Sequence, residues 1–171
     1  MARVYVEACL LNELSTLDTI LELADDGDRV GNHIEQMKAT VEGVAAAHLE
    51  AIEAHMRAVA DQLGTSPVRI VLTDLERQAA RIIPRQTALV TANGYNGYSQ
   101  HLGLVSEEDA ARYPYTRQQI ANTSELQLLI DGKYSVLDIK KALDAQYQRP
   151  SDLQAIMNYL EILKLAGLVE F

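Results

Sequence analysis

The 171-residue chain has one cysteine, Cys9, so no internal disulfide can form. No stretch approaches the roughly 18–20 uncharged apolar residues of a membrane span, and no basic-apolar-small pattern opens the chain, so no secretory leader is expected. Together these point to a reduced, cytoplasmic protein. No block is strongly basic. Residues 1–65 hold 12 acids and 4 bases, residues 66–121 hold 5 and 6, and residues 122–171 hold 7 and 5. A duplex-binding domain needs a basic footprint to displace counterions, and an anionic membrane surface needs the same, so both classes of partner are disfavoured. What is present is ordinary globular material: 48% apolar and 23% charged residues, with the acidity in the first third.

The pattern along the chain is mostly helical. From Val4 to Leu23 the apolar residues Val6, Leu10, Leu14, Leu17 and Leu21 keep close to a 3.6-residue period. Asp25, Asp26, Gly27 and Asp28 have turn composition, with Gly27 free to take a positive φ. The three aspartates lack the twelve-residue loop and closing glutamate of a calcium site. A second helical pattern runs from Arg29 to Leu63 without a proline, about 50 Å long at 1.5 Å per residue, and calls for a partner helix from the first segment or another chain. Thr73 starts a short helix that Pro84 stops. Thr91 to Ser99 contains two Asn-Gly steps separated by tyrosine, the composition of an ordered loop, and Pro114 between Tyr113 and Tyr115 marks an extended corner.

In the last fifty residues, Ser124 opens a helix to Ile130, and Ser135 with Asp138 forms a capping-box pattern before a helix to Tyr147. Ser151 with Gln154 forms another before a helix bearing Leu153, Ile156, Met157, Leu160 and Leu163 on one face. Gly167 ends that helix and Leu168 to Phe171 reads as a strand. The expected fold is therefore mainly α. A long helical hairpin of unequal arms occupies residues 1–65, a connecting segment residues 66–121, and a winged helix-turn-helix with minimal β structure residues 122–171. A second wing strand beyond Phe171 is not expected.

Three stretches carry a resemblance: Leu128 to Ile139 with the Asp131-Gly132-Lys133 corner, Tyr159 to Leu163, and Gly167 to Glu170. They resemble the winged-helix tail of bacterial zinc aminopeptidase-like (leucyl aminopeptidase-related) proteins, and Arg81 to Arg85 resembles the Pro-Arg junction ahead of that tail. The resemblance covers about 90 residues. A similar Asp-Gly corner also occurs in winged helices that bind leader peptides. The resemblance implies the non-catalytic portion of such a protein, because this chain shows no parallel-sheet pattern to hold a di-zinc cluster.

No chemical motif survives scrutiny. His48 and His55 stand seven residues apart, about 10.5 Å along a helix, whereas two helix ligands to one zinc stand three or four apart. They read as packed or interface histidines, and if buried against another helix their protonation near pH 6 would oppose packing. His33 and His101 have no ligand at useful spacing. Cys9, beside Leu10 and Leu11, reads as a small core residue. Off its core face the final helix offers Asp152, Gln154, Asn158, Tyr159, Glu161, Ile162 and Lys164, one base against two acids, which suits protein rather than DNA.

Catalytic, cofactor and metal residues are therefore expected to be absent. The candidate partner contacts are Tyr159, Ile162, Tyr134, His48 and His55. The expected role is an accessory interaction module that docks on a catalytic domain or forms a homo-oligomer. The alternatives are a winged-helix transcription regulator and a module adding a peptide strand beside Leu168 to Phe171.

Overall fold

The computed structural model describes residues 2–23, 27–69 and 71–171. It is mainly α-helical and divides into two compact units, Met1–Val71 and Leu72–Phe171. In the first, α1 (Ala2–Leu23) and α2 (Gly27–Gln62) pack along each other. Their direction is antiparallel, since Arg3 Nη1 meets Glu53 Oε1 at 3.2 Å and Lys38 Nζ meets Asp18 Oδ1 at 2.7 Å. Leu17 and Ile34 are buried and Leu10, Leu14, Leu21, Val41, Leu49 and Ile52 are half-buried, as the helical period requires. Cys9 is a correction: it is exposed, and its neighbour Ala8 is the buried small residue. The aspartate turn is also revised. Gly27 already belongs to the first turn of α2, while Asp25 and Asp26 lie outside the described residues.

The second unit is built around α9 (Leu153–Leu165), whose Ile156, Tyr159, Leu160 and Leu163 are among the least exposed side chains. Around it stand α3 (Asp74–Ala79), β1 (Arg85–Gln86), α4 (Ala88–Asn93), α5 (Tyr98–Leu102) and α6 (Glu107–Arg112). They are followed by α7 (Thr123–Leu128), α8 (Val136–Tyr147) and β2 (Val169–Glu170). One hydrophobic core joins Ala79, Val90 and Ile120 to Leu126, Val136, Leu143 and Leu160, so the expected division at residue 121 is not a packing boundary. Residues 72–121 are part of the core rather than a connector.

Local chemistry sets the helix ends. Ser135 and Asp138 form the capping box, with Ser135 Oγ accepting from Asp138 N at 3.2 Å. At α9 the cap moves by one residue: Asp152 Oδ1 accepts from Gln154 N and Ala155 N. Ser151 is instead buried, accepting from Ala121 N at 3.0 Å and donating its own N–H to Asp144. It ties the α8–α9 turn to the segment before α7, which leaves capping to the neighbouring carboxylate. Likewise Asn122, not Ser124, caps α7. The two Asn-Gly steps behave as their composition suggests, with Gly94 and Gly97 at φ 61° and 75°.

The strand also finds a partner, contrary to the expectation of an incomplete sheet. β2 pairs antiparallel with β1, Arg85 opposite Glu170 and Gln86 opposite Val169, and Thr87 donates N–H to Leu168 O. The reason is the strap 82–85, which is pinned at both ends. Val136 donates to Ile82 O, and Gly132 donates to Pro84 O. Gly132 has φ 80°, and a Cβ there would lie 3.3 Å from Arg85 Cβ, so the Asp-Gly-Lys corner needs glycine for both reasons.

Candidate interaction surfaces

Tyr159 and Ile162 were expected on an outward side of α9. Both are buried, and this is a correction. Residues 95–115, read as loop and corner, fold over that side of the helix. Tyr115 lies with its ring 5.0 Å from that of Tyr159, and Asn158 donates to Pro114 O at 2.7 Å. Tyr159 Oη accepts from Gln127 Nε2 at 2.5 Å and shares a hydrogen bond of 2.5 Å with Tyr98 Oη. Tyr95 packs edge-on against Tyr98 and donates its own hydroxyl to Gln127 O. The result is a satisfied polar cluster inside an apolar core, and among the described residues no buried side-chain polar atom lacks a partner.

Burial disfavours the phenolate and therefore makes these hydroxyls weaker acids. Tyr95 is pushed up to about 12, and Tyr98, Tyr115 and Tyr159 are all raised, chiefly by desolvation. For Tyr159 the bonds from Tyr98 and Gln127 oppose part of that effect. At neutral pH all four are neutral phenols, suited to holding elements together rather than to taking protons from a substrate. Nothing in the sequence pointed to this cluster, whose members come from α5, α7, α9 and two loops. Tyr134, the third residue expected at a partner contact, is half-buried against the same core.

The exposed side of α9 carries little positive charge. Its one base, Lys164, lies 3.9 Å from Glu161 and 4.2 Å from the centre of the Phe171 ring. Among the described residues no group of His, Cys, Asp and Glu is arranged to hold a metal ion, and no helix is long and apolar enough to cross a membrane.

His48 and His55 are exposed on α2, which corrects their reading as packed residues within this chain. They belong to a surface missed at first. Met37 and Val44, seven residues apart, are exposed with relative areas of 41% and 53%, and Ala51 and Ala58 continue the same line. None of these faces α1, which covers the side bearing Ile34, Ala45 and Ile52. The sequence carries this signal as a seven-residue recurrence, 37, 44, 51 and 58, with no charge on it.

Compared against protein families, curated proteins and solved structures, the chain matches none.

Proposed function

We propose that this chain is a non-catalytic protein-interaction module. Residues 72–171 act as a winged-helix scaffold of the kind seen in the tails of zinc aminopeptidase-like proteins, and the α1–α2 pair presents the contact surface. The observation that carries the reading is the second, uncharged and solvent-exposed face of α2, which α1 leaves open. The scaffold assignment draws support from the order α7–α8–α9–β2, with β1 as antiparallel partner. Two of the stretches that carry the resemblance, Arg81 to Arg85 and the Asp131-Gly132-Lys133 corner, are also hydrogen bonded to one another through Pro84 O and Gly132 N.

In this role the protein contributes shape and no reacting group. Its partner is a protein, either the catalytic domain of a zinc aminopeptidase-like enzyme or another copy of itself. Sedimentation of the purified chain, alone and mixed with such a catalytic domain, tests this. Self-association or complex formation is the expected result. A chain that stays monomeric, ignores the catalytic domain and binds duplex DNA in 50 mM salt overturns it.

A further inference from the structure

At 3.6 residues per turn, Met37, Val44, Ala51 and Ala58 share an arc of about 100° on α2 with His48 and His55. All six side chains are exposed. From His33 to Gln62 that arc holds no Asp, Glu, Lys or Arg, and every charged residue from Glu35 to Asp61 projects elsewhere around the helix. The face is bulky in its N-terminal half, at Met37 and Val44, and small in its C-terminal half, at Ala51 and Ala58. We infer that this face binds the same face of a second copy of the chain, antiparallel, across a two-fold axis between Ala47 and His48. The inference rests on the interaction-module reading and names its partner.

Three physical arguments select that occupant. The first is shape. Antiparallel pairing about that axis sets Val44 against Ala51 and Met37 against Ala58, large against small at each level, whereas parallel pairing sets methionine on methionine and leaves gaps between alanines. The second is charge. Each copy carries a net charge of -9, so two copies approach closely only through a surface cleared of acids. Contact on this face keeps the acids of each helix on its far side, a helix diameter of about 10 Å away, comparable to the screening length at 0.1 M salt. The third is area. About 30 residues of helix give a footprint roughly 45 Å by 10 Å, or about 900 Å² over both copies, below the roughly 1,200 Å² of stable interfaces and in the range of weak, transient ones. A reversible dimer with a dissociation constant on the order of 10 μM fits that size.

Sedimentation equilibrium of the full chain between about 1 and 300 μM tests the inference. The weight-average mass is expected to rise from 18.9 kDa towards twice that value, and to rise further with added salt as repulsion between the acidic copies is screened. Val44→Glu is expected to weaken association at least about tenfold, since it buries an unpaired charge, while Glu50→Gln, off the face, leaves it unchanged. Far-UV circular dichroism checks that Val44→Glu stays helical. The register is read in a Cys9→Ser background by mixing Val44→Cys copies with Ala51→Cys copies under mild oxidation. The mixed disulfide is expected to form faster than either self-pair. A parent chain that remains monomeric throughout, or a Val44→Cys self-pair that outruns the mixed one, overturns the inference. If such a monomer still binds the zinc aminopeptidase-like catalytic domain, the module reading stands without it; if it binds neither, both fall.

Discussion

The two units of this chain are both helical, yet they are held together differently. Among the described residues of the first, Ala8, Leu17, Ile34, Ala45 and Ala60 are buried, and three of these five are alanine. In the second, one contiguous cluster runs from Ala79 to Val169 and encloses tyrosines, isoleucines and leucines on every side of α9. The charge follows the same division: 12 acids against 5 bases up to Val71, and 12 against 10 after it. Two antiparallel helices can bury only the strip between them, so each keeps an outer face, while α9, packed among several elements, keeps little of one. Regular helix and a stable core are thus separate achievements. The first unit has long helices with a thin core, and the second has short helices with a thick one.

The sharpest way to break this contrast is to cut one side chain from each. Ile156→Ala is expected to cost about 3–4 kcal/mol, because the surrounding α9 core cannot collapse into the space, and Leu17→Ala about 2 kcal/mol, where only one helix faces it. Urea unfolding with hydrogen exchange to locate the loss measures both. Equal costs would show that the first unit is as tightly enclosed as the second.

Alkaline pH probes the second unit through its tyrosines. An ordinary phenol loses its proton near 10, and Tyr95 in the folded chain does so at about 12, with Tyr98, Tyr115 and Tyr159 also raised. Below pH 10 both states are protonated and the contribution is complete. From pH 10 upward the unfolded chain ionises first, so stability falls towards pH 12. Thermal melts across that range check it, and a flat profile would contradict the burial of the cluster.

Smaller effects sharpen the picture. Tyr98→Phe removes one hydroxyl from Tyr159 and leaves Gln127 as its remaining partner, and is expected to cost about 1 kcal/mol in a urea titration. The Arg85–Glu170 ion pair that decorates the β1–β2 ladder is largely exposed, so Arg85→Ala is expected to change stability by at most about 0.5 kcal/mol. A larger loss would mean that the strap 82–85 depends on that arginine more than on the bonds from Gly132 and Val136.

Part of the fold is legible in the sequence. The starts of α3 and α8, the glycines at 94 and 97, and the helix-ending Gly167 each follow from a preference that a few neighbouring residues settle among themselves. The candidate site was legible in a different and poorer way. Placing Tyr159 outside could not be right, because its covering, Tyr98 and Tyr115, lies more than forty residues away in the chain.

The amino-acid order by itself determined where α3 and α8 begin, which faces of the long helices are apolar and where the charge sits, since these depend on neighbours within about one or two helical turns. Only the tertiary structure decided that β1 is the partner of β2, that Ser151 serves as a tie rather than a cap, that the tyrosines meet, and that α2 is left with a second open face. Those outcomes depend on which distant segments arrive first at a shared surface and fill it, a competition for space in which no short window of residues holds the answer.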